Sequence, residues 1–152
     1  MNGDHALPMP AESLIPHRRP MRLVDTLLSR EEGDGVTETR IPAGSAMADG
    51  RGALDEVLFA ELIAQSYAAV KGHMDRVDGN PPGKGFLVGI SRMKISGGAF
   101  AGDRLLTSVR TVGSFAGFAV IEGAVTRGDE VVASGTMKLW VSGTGTDGAE
   151  KT

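Results

Sequence analysis

The 152-residue sequence predicts an α+β fold in which one long helix is wrapped by a curved antiparallel sheet of about six strands. Three observations predict it. The apolar residues of the stretch Ala53 to Met74, among them Leu54, Val57, Leu58, Phe59, Leu62, Ile63, Tyr67 and Val70, go all round the helical wheel, the mark of a helix surrounded by protein. Every later apolar segment reads as strand, with no second helix-period segment. Gly102-Asp103 and Gly128-Asp129 carry the tight-turn chemistry that joins antiparallel neighbours. A helix apolar on all sides needs a sheet that curls round it, and one chain's sheet leaves an edge to pair. A dimer joining two sheets edge to edge is therefore expected.

Composition narrows the function classes. Sixteen Lys plus Arg against nineteen Asp plus Glu give a formal charge of −3, and no basic block is present. Nucleic-acid binding is unsupported. The chain has no cysteine, so disulfides and thiolate metal sites are excluded. No basic region followed by an apolar run opens the sequence, and no apolar run has membrane-spanning length. A cytoplasmic protein without membrane contact is expected.

In chain order, residues 1–12 read as a flexible leader with prolines at 8 and 10, although Ala11 to Ile15 has room for one helical turn before Pro16. Pro16 and Pro20 frame an extended loop, and Met21 to Ser29 reads as a strand. Residues 31–35 form a turn, and Val36 to Ile41 alternates as a half-exposed strand. A loop of small residues, 42–52, leads to the helix, with Asp55 as N-cap and Glu56 in its first turn. Residues 78–85 break the helix. Four strands follow, Phe86 to Ile95, Arg104 to Val112, Phe115 to Arg127 and Glu130 to Val141, with Gly113 bending the chain between the second and third. The folded domain thus spans residues 13–141, and residues 142–152 form a polar, disordered tail.

Two polar residues interrupt the helix surface. Glu61 and Gln65 lie four apart, on the face shared with Leu54, Leu58, Ala68 and Gly72. A carboxylate in apolar company is costly unless it is paired or protonated, and such acids cluster at functional sites. The plainer alternative is a structural acid bonded to a neighbouring strand or loop. As a catalytic acid, Glu61 needs apolar neighbours that hold a proton on it, and Gln65 one turn on to orient it.

Four segments in order carry a resemblance: LIPHRRPMRLVD, LFAELIAQ, GKGFLVGISRMKI and AGDRL. Over residues 13–141 the chain resembles the hot-dog 3-hydroxyacyl-(acyl-carrier-protein) dehydratases of fatty-acid synthesis. The resemblance implies a double hot-dog dimer with the active site across its interface. It also implies that a histidine takes the α-proton of a 3-hydroxyacyl thioester while the helix acid, here Glu61, protonates the departing hydroxyl. In the family the histidine lies in a Gly-His-Phe-Pro-Gly motif; the matching position here is Met47, which cannot take a proton. The helix-start glycine whose N–H receives the thioester oxygen is Glu56 here, and the preceding proline is Asp55. These departures bring the chain closer to the dehydratase-like proteins of aryl-polyene biosynthesis, which are thought to work with a second, histidine-bearing hot-dog subunit.

On that resemblance the acyl group would run in a tunnel between two subunits, lined by residues such as Leu58, Phe59 and Phe86, with Met47, Glu56 and Gln65 as further substrate-binding candidates. The basic cluster Arg18, Arg19 and Arg22 is either solvated surface or the landing site for an acidic carrier protein and its phosphopantetheine-linked acyl chain. Of the three histidines, His5 lies in the leader, His73 ends the helix and complements its C-terminus, and His17 is either structural, as the resemblance implies for its counterpart, or a candidate replacement base. No metal-ligand spacing or phosphate loop is present, so neither metal nor cofactor is implied. Two other functions fit the same residues. A hot-dog thioesterase would use Glu61 as base or nucleophile without a histidine, and a non-catalytic subunit would hold acyl chains or complete a homodimer or heterodimer.

Overall fold

The computed structural model describes residues 5–44, 48–81 and 83–142. Its elements are β1 (Met9–Pro10), a 3-10 turn (Ala11–Ser13), β2 (Thr26–Glu31), β3 (Asp34–Arg40), α1 (Val57–Asp78), β4 (Lys84–Ile95), β5 (Arg104–Phe115), β6 (Phe118–Arg127) and β7 (Glu130–Ser142). The strands form one antiparallel sheet in the order β1-β2-β3-β5-β6-β7-β4, curled round α1. This is the hot-dog fold. The short β1 is an addition to the six strands expected. Among the described residues no helix is long and apolar enough to cross a membrane.

The helix begins and ends four residues later than the wheel suggests. Ala53 and Leu54 are drawn into isolated bridges with Phe100 and Ala48, and Asp55 Oδ1 then accepts the Val57 N–H at 3.0 Å. At the other end Gly79 takes a left-handed φ of 74°, its N–H bonding to Arg76 O while Asn80 N–H reaches Asp75 O. This paired closure satisfies the last carbonyls and stops the helix.

Inward residues of the strands, such as Leu27, Leu105, Ile121, Val125 and Met137, form one core with Phe59, Leu62, Ile63 and Val70 of α1. Two strand glycines let the helix come this close. A Cβ on Gly35 would lie 2.7 Å from Val70 Cγ2, and one on Gly123 would run into the Ile63 side chain. The chain's own sheet does not enclose α1 on every side, however. Val57 is 68% exposed, and Leu58, Ala60, Glu61, Ala64 and Ala68 are only partly covered. The all-round apolar pattern therefore includes a stripe that this chain leaves open.

Three local expectations are corrected. Residues 21–25 are not strand: the buried Leu23 and Val24 N–H groups turn to Gln65 of α1, and those of Met21 and Arg22 turn back to Arg18 O. The β5–β6 hairpin turns at Ala116-Gly117, with φ of 53° and 86°, whereas Gly113 sits at a register shift within β5. Residues 5–12 are held against the domain rather than loose: Met9 and Ala11 are buried, Met9 pairs with Leu27, and Ala11 N–H bonds Asp25 O at 2.9 Å. Alternating apolar residues at 7, 9 and 11 explain the packing, a pattern the two prolines obscure. Residues 1–4 and 143–152, including most of the predicted tail, lie outside the described residues.

Two outcomes are expected. Gly123→Ala forces a methyl into Ile63 and destabilises by about 1–3 kcal/mol, read as a lower denaturant midpoint at unchanged slope. Tyr67, the single tyrosine, is buried; burial first and the negative charge of Asp75 second push its phenol above the ordinary value, against a smaller opposing effect of the Thr111 hydrogen bond. A phenol raised in the folded state contributes stability that is complete below about pH 10 and is lost as pH climbs through its folded value. Alkaline unfolding coincident with tyrosinate absorbance, and its shift to higher pH in Tyr67→Phe, would check this.

Candidate functional site

The segment from Leu14 to Asp25 crosses α1 without regular structure, and one side chain holds it there. Gln65 is buried, and its Oε1 accepts the Leu23 N–H at 2.8 Å and the Val24 N–H at 3.4 Å. Its Nε2 donates to Met21 O at 2.9 Å and to Glu61 Oε2 at 2.8 Å. The two backbone N–H groups can face only the amide oxygen, so the amide's orientation is unambiguous. The expected Gln65–Glu61 bond is present; its anchoring of the N-terminal loop could not be read from helical spacing.

The same loop delivers His17. Arg18 Nη1 closes the loop on Ile15 O at 2.8 Å and His17 O at 2.9 Å. His17 Nε2 then stands 3.9 Å from Glu61 Oε2, with side chains 35% and 42% exposed. Its Nδ1 is buried and bonded to nothing among the described residues. Glu61 is thus not the buried acid expected: its side of α1 is the stripe that the single chain leaves open. Leu58 lies on that stripe, but Phe59 points away from it into the closed core.

Ahead of the helix the chain is knotted by Asp49. Its Oδ1 accepts the N–H groups of Arg51 at 2.8 Å and Ala53 at 3.0 Å, while its own N–H bonds Ala53 O at 2.7 Å. Leu54 N–H and Ala101 N–H tie this turn to the β4–β5 connection through Ala99 O and Gly52 O. The Ala-Asp-Gly segment is therefore a self-bonded turn, which sequence reading missed although Asp followed by Gly signals one. Met47 lies outside the described residues. Glu56 is exposed and makes no capping bond. The Phe86 backbone pairs with Trp140 at the opposite end of β4 from the helix start, and its side chain lies outside the described part of the structure.

The arginine cluster divides. Arg22 is tucked inward against Glu12 at 3.3 Å and Arg19 pairs with Asp25 at 2.6 Å, so Arg22 is not part of an open landing surface. His73 is not at the helix end but inside α1. Its Nδ1 accepts Arg30 Nε–H at 2.6 Å and its Nε2 meets His5 O at 2.9 Å, a structural role. A groove of about 840 Å³ runs over the outer sheet face by Val36, Ser108, Ala124 and Ser134, and no candidate residue borders it. No group of His, Asp or Glu among the described residues is arranged to hold a metal ion.

A family model named ApeP-like, described as ApeP dehydratase, matches residues 9–146. The chain is 27% identical over 132 residues to the FabZ 3-hydroxyacyl-(acyl-carrier-protein) dehydratase of Thermotoga petrophila, covering 86% of this chain and 93% of that protein. Among solved structures it resembles a chain of the dehydratase heterocomplex ApeI:P from Xenorhabdus doucetiae, with TM-score 0.81 at 17% identity over 87% of this chain and 90% of that one. It also resembles a hypothetical thioesterase with coenzyme A from Streptococcus pneumoniae, with TM-score 0.63 at 15% identity over 78% of this chain and 85% of that one.

Gln65→Leu should leave buried Leu23 and Val24 N–H groups without an acceptor, at about 1–3 kcal/mol. The Leu23 amide should then lose hydrogen-exchange protection well before the core strands do, which amide exchange by NMR would read.

Proposed function

The chain belongs to the ApeP-like dehydratase family, and from that premise we propose that it is a dehydratase-type subunit acting on 3-hydroxyacyl thioesters of acyl carrier protein, with Glu61 as general acid. The carrying observation is Glu61 itself, a carboxylate fixed by Gln65 on the open stripe of α1. In the reaction a base removes the α-proton, the bond from Cβ to oxygen breaks, and Glu61 gives its proton to the departing hydroxyl. Water and the 2-enoyl thioester result.

Met47 offers no basic atom, so the base comes from a second hot-dog subunit bearing a histidine, and the two chains share one site. Two unfinished surfaces support this reading. One is the open stripe of Leu58, Ala60, Glu61, Ala64 and Ala68. The other is β4, a twelve-residue strand at the sheet edge with Val88 53% exposed and Leu87 and Ile90 also open. Unpaired edges of this length invite another strand. Similarity to a chain of a dehydratase heterocomplex is in keeping with it. Antiparallel pairing of two β4 edges would bring Phe86 of one chain toward the helix start of the other, where an acyl chain could run between subunits. Exposed Arg18 and Arg19 are the proposed contacts for the acidic carrier and its phosphopantetheine, in fatty-acid or polyene biosynthesis.

A thioesterase reading has one observation in its favour, a lone half-exposed carboxylate with no bonded base, and it requires free acid as product. The purified protein is incubated with 3-hydroxyacyl carrier protein, with and without a histidine-bearing hot-dog partner, and products are read by mass spectrometry. Enoyl thioester formed only with the partner is expected; free acid would overturn the proposal. Within the active assembly, Glu61→Gln should melt like wild type yet lose about a hundredfold or more of turnover. The double change Val88→Lys and Ile90→Lys should leave a folded monomer by analytical ultracentrifugation, with turnover gone.

A further inference from the structure

His17 has no task in the reaction as described, yet the fold presents it to the acid. Its loop is pinned at both ends, by the Arg18 bonds to Ile15 O and His17 O and by Gln65 gripping Met21, Leu23 and Val24. The separation of 3.9 Å between His17 Nε2 and Glu61 Oε2 is too long for a direct hydrogen bond. It does suit two groups that hold one atom between them, since an oxygen about 2.9 Å from each closes that triangle. Both side chains are part-exposed there, so the gap opens to solvent rather than into the core.

The imidazole's other nitrogen decides its chemistry. Nδ1 is buried without a partner among the described residues. A hydrogen on it would be an orphaned buried donor, which proteins rarely leave; a bare acceptor is the lesser cost. The neutral ring therefore carries its hydrogen on Nε2, the atom facing the gap. In that tautomer His17 is a donor, not a base.

We infer that His17 Nε2–H is the second donor to the 3-hydroxyl oxygen of the substrate, which it holds together with Glu61. The inference rests on the dehydratase reading and deepens it. A hydroxyl oxygen has two acceptor sites, and Glu61 and His17 fill them. As the bond from Cβ to oxygen breaks, its electron pair moves to that oxygen. Glu61 supplies the proton that completes the water, and His17 stays neutral throughout, its N–H favouring the charge that builds on the leaving oxygen. The contact also makes His17 a specificity residue. It recognises 3-hydroxyacyl groups over saturated acyl groups of the same length, because a ligand without the hydroxyl leaves its N–H unmet.

The test compares two ligands on the protein in the assembly that turns over: a 3-hydroxyacyl pantetheine amide and the same amide without the hydroxyl. Wild type should prefer the hydroxylated ligand by about tenfold. His17→Ala should lose most of that ratio. His17→Gln, whose amide nitrogen takes the place of Nε2, should keep it and keep turnover within a few-fold. The ratio is measured on one folded protein at a time, so a loss of stability in either variant, followed by melting, cancels from it. An unchanged ratio in His17→Ala, or a ratio lost equally in His17→Gln, overturns the assignment. So does intact ratio with turnover lost in both variants, which would make His17 a base. A wild type that turns over 3-hydroxyacyl carrier protein without any ligand preference overturns His17 alone, whereas one that neither binds these ligands nor turns over substrate overturns the dehydratase reading beneath it.

Discussion

One buried amide organises the functional end of this molecule. Gln65 uses its oxygen to replace the sheet partners that Leu23 and Val24 lack, and its nitrogen to hold both Met21 O and the Glu61 carboxylate. The position of the N-terminal loop, the rotamer of the acid and the place of His17 are thus one geometric fact rather than three. No close relative of glutamine could do the same. Asparagine is a methylene shorter, and a glutamate would have no hydrogen for Met21 O and would set two carboxylates face to face. Polar groups buried this way are unforgiving, since each bond lost leaves a backbone group without water.

The second organising constraint is how closely α1 lies on the sheet. Gly35 and Gly123 remove the Cβ atoms that would hold Val70 and Ile63 away, so the inner side of the helix is packed against backbone. Tight contact on that side leaves the opposite stripe beyond the reach of the chain's own strands. The same curl that covers the inner side ends at β4, whose outer edge is unpaired within the chain. An apolar stripe and a free edge on one chain are complementary demands. A second hot-dog chain, as proposed, would meet both at once, by strand addition and by helix against helix.

Much of this was legible in the sequence, for reasons that differ by element. The helix, the six long strands and their order of occurrence follow from periodicity and turn residues, which act locally. Boundaries were harder wherever a tertiary contact won over a local preference: Ala53 and Leu54 look helical but bridge to Phe100 and Ala48. Met21–Asp25 looks like strand, but Leu23 and Val24 spend their N–H groups on Gln65, and Met21 and Arg22 spend theirs on Arg18 O. Glu61 and Gln65 stood out because polar residues on an otherwise apolar face carry a cost that needs a reason. His17 and Glu61 lie more than forty positions apart, by subtraction of 17 from 61, and no periodicity links residues at that separation. Only the loop's anchorage on α1 brings them together. Arg22 drops out of the patch read at Arg18, Arg19 and Arg22 for a similar reason, because adjacency in sequence says nothing about which charge is tucked inward against a partner.

The hot-dog fold carries dehydratases and thioesterases alike, so the fold leaves the chemistry open and the residues around Glu61 must decide it. A thioesterase asks its carboxylate to act at the carbonyl carbon, either directly or through water. A dehydratase asks its acid to meet an oxygen two carbons further along the acyl chain. The surroundings of Glu61 suit the second demand better. A donor with its hydrogen on Nε2 stands one oxygen's width away and has nothing to offer a nucleophilic water that needs a proton removed. Placed beside a leaving hydroxyl, the same donor helps the bond break. On the proposed reading Met47 stands where the family has its histidine, while Glu61, its glutamine and the facing imidazole are on this chain. That is the distribution of groups to be expected of a subunit that manages the departing oxygen while another group removes the α-proton.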